Sequence, residues 1–379
     1  MTVSRLRVGV DFHEWDGIFQ GSRNHVLGIY KAAISLAPDV DFVFFLESVD
    51  SLRSAHAEFR QPNVRLVVMP RRNGLIRLGF QLPWLRWRHR LDILHTQYRV
   101  PFIHGGATAC TIHDILFETH PQFFPTGFVR EAKITFRMAV RKSDVLFTVS
   151  QYSKREICRI YGASEENTRV TYNGVDRTRF YPGSQGADKV KALGLTPGHY
   201  ALVVGRLEPR KNHLTLMKAW ARLGASAPQL VIVGQEDPSF PEVREAIDAM
   251  AEANKVLLFN QLGDDLLPDV MRHASLFVYP AFAEGFGMPV AEAMASGVPV
   301  VTSNTTSLPE VAGGGAVLFD PESDSDLLRA LRETLGLSET SRQAWIDRAL
   351  EQVRSFDWTL SAGVLLDGLR TAAGAPLKH

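Results

Sequence analysis

Cysteine is nearly absent from this chain: Cys110 and Cys158 are the only two in 379 residues. That argues against a disulfide framework and fits a reducing cytoplasm. Long apolar runs are missing too. No stretch approaches the ~18 residues that a membrane-spanning helix needs. The opening "MTVSRLRVGVDFHEWDG" reaches acids within a few residues, so it reads as a buried strand rather than a signal peptide. There is no G-x-G-x-x-G spacing, which argues against a dinucleotide fingerprint. Net charge is almost nil at +1, and a nucleic-acid reading of the basic residues 71–90 is opposed by Pro83 and by the lack of a nucleic-acid-binding motif. One local absence stands out. Residues 71–90, "RRNGLIRLGFQLPWLRWRHR", contain six arginines and no acid.

What is present is alternation. Apolar runs of strand length recur between helical patterns: "LRVGVDF", "DFVFFLE", "VRLVVMP", "DILHTQY", "ATACTIHD", "VLFTVS" and "RVTYNGV". A second series follows: "YALVVGRL", "PQLVIVG", "KVLLFNQL", "LFVYPA", "VPVVTS" and "GAVLFD". Continuous Val/Ile/Leu runs between helices predict parallel sheets covered on both faces. Two series predict two doubly wound α/β, Rossmann-like domains, residues 1–182 and 183–359, divided near Pro182, Gly183 and Gly186. Such sheets bind ligands beyond the carboxyl ends of their strands, and two facing sheets would enclose a cleft. The charge supports unequal halves. Residues 1–182 carry 25 Lys and Arg against 17 Asp and Glu, and the remainder carries 17 against 24. The first half is thus suited to an anionic partner, unless both balances are merely solvated surface.

Four stretches carry candidate chemistry. In "FVYPAFAEGFGMPVAEAMASGVPVVTS", Glu284 follows a strand, Pro289 suits a first helical position and Gly297 a helix stop. Glu292 is then expected in the first helical turn. A carboxylate accepts paired hydrogen bonds from vicinal hydroxyls, so the two acids are candidates for holding two sugars. The plainer alternative makes Glu292 a first-turn acid favoured by the helix dipole, with Glu284 solvated. In "VVGRLEPRKNHLTLMKAW", Arg206 and Lys211 flank a strand-to-helix turn, where two cations clamp a diphosphate or simply form a basic loop. In "ATACTIHDILFE", His113 ends a strand and is placed either to meet a sugar hydroxyl or to serve the core. In "DGIFQGSRNHVLGIY", Gly21 and Ser22 open a helical pattern after the first strand.

Two Asp-x-Asp pairs, Asp39–Asp41 and Asp324–Asp326, match a metal-binding pattern of some sugar transferases. The first reads as a loop entering a strand and the second as a helix N-terminus, so no metal site is expected. Residues 71–90 interleave arginine with Leu75, Ile76, Phe80, Trp84 and Trp87, the composition of a membrane-interface segment. The competing reading is an ordinary helix pair with both tryptophans in the core.

Taken together these motifs resemble glycosyltransferase family 4, the retaining GT-B transferases. "EGFGMPVAEAMASGVPVV" is similar to that family's E-x7-E signature, and "VGRLEPRKN" to its diphosphate-binding turn. "VSQYSKREI", "VTYNGVDRTRFYP", "LGDDLLPDVMRHASLFVYPA" and "TSLPEVAGGGAVLFDP" extend the likeness over residues 5–370. Within the family the chain resembles bacterial mannosyltransferases of surface-polysaccharide synthesis.

The resemblance implies roles. Glu284 and His113 are the catalytic candidates, at the transferred sugar. Arg206 and Lys211 would neutralise the diphosphate in place of a metal, and Glu292 would hold the ribose. The backbone of Gly285, Phe286, Gly287 and Met288 would meet the donor hexose. Gln261 and Leu262 would lie by the base, and Gly21 by the phosphate, although "QGSRNH" lacks the family's Gly-Gly pair. The last segment, residues 360–379, would form a helix crossing back to the first domain. The implied reaction moves a hexose, with mannose from GDP-mannose foremost, to a glycan or lipid-diphosphate-linked acceptor with retention. A UDP-sugar donor (glucose or N-acetylglucosamine) and a nucleotide-sugar 2-epimerase on the same fold are the alternatives. No cofactor is expected. The implied location is cytoplasmic and peripheral on the inner membrane face, through residues 71–90.

Overall fold

The computed structural model describes residues 5–17, 20–103, 105–224, 227–251 and 256–374. Each of the thirteen expected apolar runs contributes to a strand, although only Arg169 and Val170 of "RVTYNGV" do so, and every strand pair is parallel. Contacts divide the chain into two units, residues 1–174 with 357–379, and residues 175–356.

The first unit holds β1 (Arg7–Asp11), β2 (Asp41–Leu46), β3 (Val64–Val68), β4 (Ile93–Gln97), β5 (Ala107–Thr111), β6 (Val145–Thr148) and β7 (Thr168–Val170). They lie in the order β3-β2-β1-β4-β5-β6-β7. The chain thus reverses direction of growth between β1 and β4, the switch point at which such sheets receive ligands. Val8 pairs with Phe42 on one side of β1 and Ile93 on the other. Phe12, Phe42, Phe44, Phe59 and Tyr30 are fully or almost fully buried and form the aromatic part of this core.

The C-terminal helix Trp358–Ala372 completes that core. Ala362, Leu365, Leu366 and Leu369 recur at helical spacing and are buried. Burial of each Leu contributes about 1.5–3 kcal/mol. Asp357 caps the helix by accepting from Thr359 N–H at 2.7 Å. Trp358 lies between Gly28 and Gly174, where an added Cβ would come within 2.4 and 2.5 Å of its ring. Those two glycines leave the space the indole occupies. The division therefore falls at 356/357, three residues before the expected 359/360.

The second unit holds β8 (Tyr200–Val204), β9 (Gln229–Val233), β10 (Val256–Phe259), β11 (Leu276–Tyr279), β12 (Val300–Ser303) and β13 (Val317–Phe319). Their order is β10-β9-β8-β11-β12-β13, with the switch between β8 and β11. Its start at residue 175 precedes the expected 183 because the Pro/Gly-rich segment is packed rather than a free linker. Buried Arg272 donates to the carbonyls of Arg179 (2.9 Å), Tyr181 (2.8 Å) and Gln185 (3.1 Å), and Pro182 underlies Gly297.

Residues 71–90 join β3 to β4. A turn at Gly74–Ile76 runs through a π-turn at Arg77–Gln81 into the helix Leu82–His89. Leu78, Leu82 and Leu85 face the core. Phe80, Trp84 and Trp87 lie on the outside, 73%, 57% and 76% exposed. The reading that places both tryptophans in the core is thus overturned. Two of the six arginines are buried instead: Arg77 pairs with Asp11 at 2.8 Å, and Arg86 is 6% exposed. Among the described residues no helix is long and apolar enough to cross a membrane.

Candidate functional site

The second unit gathers charge at its switch point. After β8 the chain makes a single 3-10 turn, Pro209–Lys211, before the helix His213–Ala221. Asn212 joins the two in the left-handed region (φ 59°) and donates to Pro321 C=O at 2.8 Å. This tight junction turns Lys211 toward the segment that follows β11. There its Nζ meets Glu284 Oε1 at 2.5 Å and Tyr279 Oη at 2.8 Å. Tyr279 donates to the same Oε1 at 3.0 Å, and Arg210 Nη1 lies 2.9 Å from it. Glu284 Oε2 has no such partner among the described residues. One oxygen is therefore saturated and the other is available to a ligand.

Electrostatics follow from that crowding. Burial alone would raise the Glu284 carboxyl, but Arg210, Lys211 and the hydrogen bonds from Lys211 and Tyr279 bring it down to about 2. It stays ionised at any physiological pH. Burial and Arg210 pull Lys211 below its ordinary value, against the opposing pull of Glu284. Arg210 is the cation sequence reasoning missed. It stands beside Lys211 in the same turn, donates to Ala283 C=O at 2.7 Å, and pairs with Glu208 at 2.7 Å. The signal was present as two consecutive cations in "PRK". Arg206, chosen instead, is exposed and pairs with Asp237 at 3.2 Å. In this structure it does not join Lys211 and Glu284.

The loop 285–287 is set by side chains of the next crossover. Ser307 Oγ donates to the carbonyls of Glu284 (2.8 Å) and Phe286 (2.9 Å). Thr306 Oγ1 receives Glu284 N–H at 3.0 Å. Gly287 takes φ 101°, which an L side chain resists, and caps the helix Met288–Ala295. The helix thus starts one residue before Pro289. Glu292 is its fifth residue, in the second turn rather than the expected first. It is partly buried, and burial raises its carboxyl to about 8, with Asp264 adding to the rise and Arg179 opposing it. Its backbone carbonyl accepts from Ser296 Oγ at 2.9 Å, but among the described residues its carboxyl has no hydrogen-bond partner. Gly285 and Phe286 are buried and Met288 is partly exposed. Gln261 is exposed and Leu262 half-buried, in the turn after β10.

The first unit gathers neutral polar groups at the ends of β4 and β5. His113 Nε2 donates to Gln97 Oε1 at 3.0 Å, which leaves Nδ1 as the acceptor. Its ring meets His25 edge-on at 4.7 Å and Tyr98 at 5.1 Å. Burial, with His25 and His95 nearby, holds His113 well below its usual value, and burial brings His25 to about 4. Both are neutral imidazoles. His25 Nδ1 donates to Asn173 Oδ1 at 2.8 Å. Tyr98 occupies the left-handed region (φ 61°), a strained position for an aromatic residue, and shares a 2.6 Å hydrogen bond with Ser22. Gly21 lies in the first turn of the helix Gln20–Leu36, exposed, with open space where a Cβ would stand. Nothing in the chain itself requires glycine there. Gln97, Tyr98, His25 and Asn173 were not read as site residues. The cue was "HTQY", polar residues closing an otherwise apolar strand.

The two Asp-x-Asp pairs are engaged elsewhere. Asp39 accepts from Arg370, Asp41 opens β2, and Asp326 accepts from Arg329 at 2.7 Å in the first turn of the helix Asp324–Leu335. Among the described residues no group of three His, Cys, Asp or Glu is placed to hold a metal ion.

Known proteins resemble this chain in sequence and in fold. The model for glycosyl transferases group 1 matches residues 188–352, and that for Glycosyltransferase Family 4 matches residues 19–179. The O-antigen chain mannosyltransferase B of Escherichia coli is 30% identical over 253 residues, covering 65% of this chain and 66% of that protein. The D-inositol 3-phosphate glycosyltransferase of Nocardia farcinica is 27% identical over 287 residues, 73% of this chain and 62% of that protein. This chain thus matches under two thirds of the length of these relatives. Among solved structures, Alr3699/HepE of Anabaena in complex with UDP-glucose superposes with TM-score 0.73 at 19% identity, covering 96% of this chain and 99% of that one. At that identity the likeness shows the fold, two doubly wound parallel sheets of the GT-B class.

Proposed function

Since this chain belongs to the family 4 glycosyltransferases, we propose that it transfers a hexose from a nucleoside diphosphate sugar to a glycan or lipid-linked acceptor, with retention. The observation that carries this reading is Glu284, with Oε1 saturated by Lys211, Arg210 and Tyr279 and Oε2 open. Lys211 and Arg210 supply positive charge where a diphosphate leaves, in the role a divalent metal plays elsewhere. Arg206 needs only to exchange an exposed ion pair, worth about 0–1 kcal/mol, to join them. Glu284 Oε2 accepts from hydroxyls of the transferred hexose. Glu292 faces the ribose diol, and the turn holding Gln261 and Leu262 faces the base. The neutral cluster around His113 binds sugar hydroxyls without adding charge.

In the reaction the bond from the anomeric carbon to the diphosphate oxygen breaks. A bond to the acceptor oxygen forms on the same face, and the acceptor proton passes to the departing phosphate. The cations stabilise the charge that builds on that phosphate. The mannosyltransferase relative favours mannose from GDP-mannose, as in polysaccharide synthesis. A UDP-hexose donor is the second reading, favoured by UDP-glucose in the Anabaena neighbour.

The enzyme works at an anionic membrane face, which Phe80, Trp84 and Trp87 meet from outside. Thermal-shift screening against GDP-, UDP- and ADP-sugars tests the donor. A donor at about 100 times its dissociation constant adds about 2.7 kcal/mol of stability. GDP-mannose is expected to give the largest shift, with disaccharide product and with turnover intact in EDTA. No shift with any nucleotide sugar would remove the transferase reading. Loss in EDTA restored by Mn²⁺ would remove the metal-independent role of the cations.

A further inference from the structure

Residues 304–307 follow β12 and lead into the helix Leu308–Ala312. Thr306 there takes the left-handed region (φ 55°). A β-branched side chain resists that region, because its branch crowds the backbone. Among the described residues only four non-glycines have positive φ, and Thr306 is the one β-branched member. Of the others, Tyr98 stacks near the His113 ring and Asn212 adjoins Lys211. Ser307 departs from a second local rule. It stands at the N-cap of its helix, where a serine hydroxyl ordinarily accepts from a first-turn N–H, yet it makes no capping bond. Both departures cost stability, and such costs persist where the surroundings impose them.

The loop that carries Glu284 imposes both. Thr305 Oγ1 donates to Phe282 C=O at 3.0 Å, and Thr306 Oγ1 accepts Glu284 N–H at 3.0 Å. Ser307 Oγ donates to the carbonyls of Glu284 and Phe286. Three consecutive hydroxyls thus meet one short segment. Successive side chains point to opposite faces in a strand and about 100° apart in a helix, so neither conformation allows this. The left-handed turn at Thr306 does. The Thr306 hydroxyl is itself oriented, because its proton goes to Thr305 C=O at 2.8 Å and leaves a lone pair for Glu284 N–H. Lys211, Arg210 and Tyr279 all act on Oε1 of Glu284, and contacts to one oxygen let a carboxylate pivot about it. Fixing the Glu284 backbone at both N–H and C=O removes that pivot.

We propose that Thr306 is a positioning residue for hexose transfer: its hydroxyl, brought round by the left-handed turn, aims Glu284 Oε2 at the transferred sugar. The inference rests on the reading of Glu284 as the acid that meets that sugar. Thr306→Ser, Thr306→Ala and Thr306→Gly test it in the full chain, beside Glu284→Gln and the Glu284→Gln/Thr306→Gly double variant. GDP release from GDP-mannose is followed with methyl mannoside as acceptor, and UDP release from UDP-glucose beside it. Melting curves and GDP binding are measured on the same proteins.

Glycine enters the left-handed region freely and alanine does not, so Thr306→Gly should melt above Thr306→Ala although both lack the hydroxyl. Both should lose about tenfold in kcat, since a misplacement near 1 Å costs about 100-fold. KM and the Kd of GDP should stay within about threefold, because the loss falls on the transition state. Thr306→Ser keeps the accepting oxygen and should restore kcat. With Glu284→Gln already present, Thr306→Gly should add about twofold at most, as its effect runs through the carboxylate. Thr306→Gly at wild-type kcat, with Glu284→Gln slow, would overturn this inference alone. So would Thr306→Ser as slow as Thr306→Gly, a glycine variant melting no higher than the alanine one, GDP binding lost in step with kcat, or an undiminished loss beside Glu284→Gln. Glu284→Gln at wild-type kcat would overturn the reading of Glu284 and this inference with it. Release of neither nucleotide by wild type would overturn the donor reading and this inference together.

Discussion

The polar cluster of the second unit is charged and that of the first is neutral, although both stand at the carboxyl ends of parallel strands. Around Glu284 an ionised carboxylate is held by two cations and a phenol. Around His113 the imidazoles are kept uncharged by burial and paired with amide groups. The same topology therefore supports two chemistries. Under the proposed function the charged cluster meets the diphosphate and answers its growing charge. Under the same proposal the neutral cluster meets sugar hydroxyls without competing for the phosphate. Burial pushes each of these groups toward its neutral form, and the charge persists only where counter-ions and hydrogen bonds outweigh it, as at Glu284.

The largest break in this contrast comes from Lys211→Met. It should lower kcat/KM about 10²–10³-fold, the effect of losing one preorganised group at developing charge. Tm should also fall, because buried Glu284 then keeps Arg210 alone. Steady-state kinetics with nucleotide sugar and a melting curve check it. Activity within a few-fold of wild type would place the diphosphate elsewhere.

His113→Ala should cost about tenfold at most, the scale of one neutral hydrogen bond, with donor binding in a thermal shift unchanged. Because His113 is held well below its ordinary value, kcat/KM should show no inflection near pH 6.5 that this variant removes. Such an inflection would mean that the cluster carries charge after all.

The smallest effect concerns Glu292, whose carboxyl is raised from 4.5 to about 8. The folded chain holds this proton more tightly than the unfolded one. The stability so gained is full below about pH 4.5 and is lost as pH rises through about 8. The Tm advantage of wild type over Glu292→Gln should shrink across that window. Donor affinity should move the other way, rising severalfold toward about pH 8 in wild type and staying flat in the variant, because the ionised form accepts from the ribose diol. Parallel Tm curves for the two proteins would show that Glu292 keeps an ordinary value.

The strand "LFVYPA" and the acid that follows it are legible because an apolar run and its bounding turn are contiguous in the chain. Lys211 was legible for the same reason. Arg210 was not, since Arg206, Arg210 and Lys211 look alike along one loop, and only the Pro209–Lys211 turn separates the inward pair from the outward one. Glu292 was legible as an acid of the helix, but its depth was not, because Gly287 shifts the helix start by one residue. At residues 71–90, composition gave the basic and aromatic character without saying which arginines turn inward. The π-turn at Arg77–Gln81 is part of that answer and has no simple period.

The sequence by itself determined thirteen parallel strands, two doubly wound units and the turns that carry the acids and cations, because each of these is written in a dozen adjacent residues. The tertiary structure alone decided which cation meets which acid, which histidines are neutral and which tryptophans face out. Those outcomes depend on groups tens of residues apart, such as Lys211 and Glu284 or His25 and Asn173, brought together by strand order. Their charge states depend on how much water that assembly leaves around them.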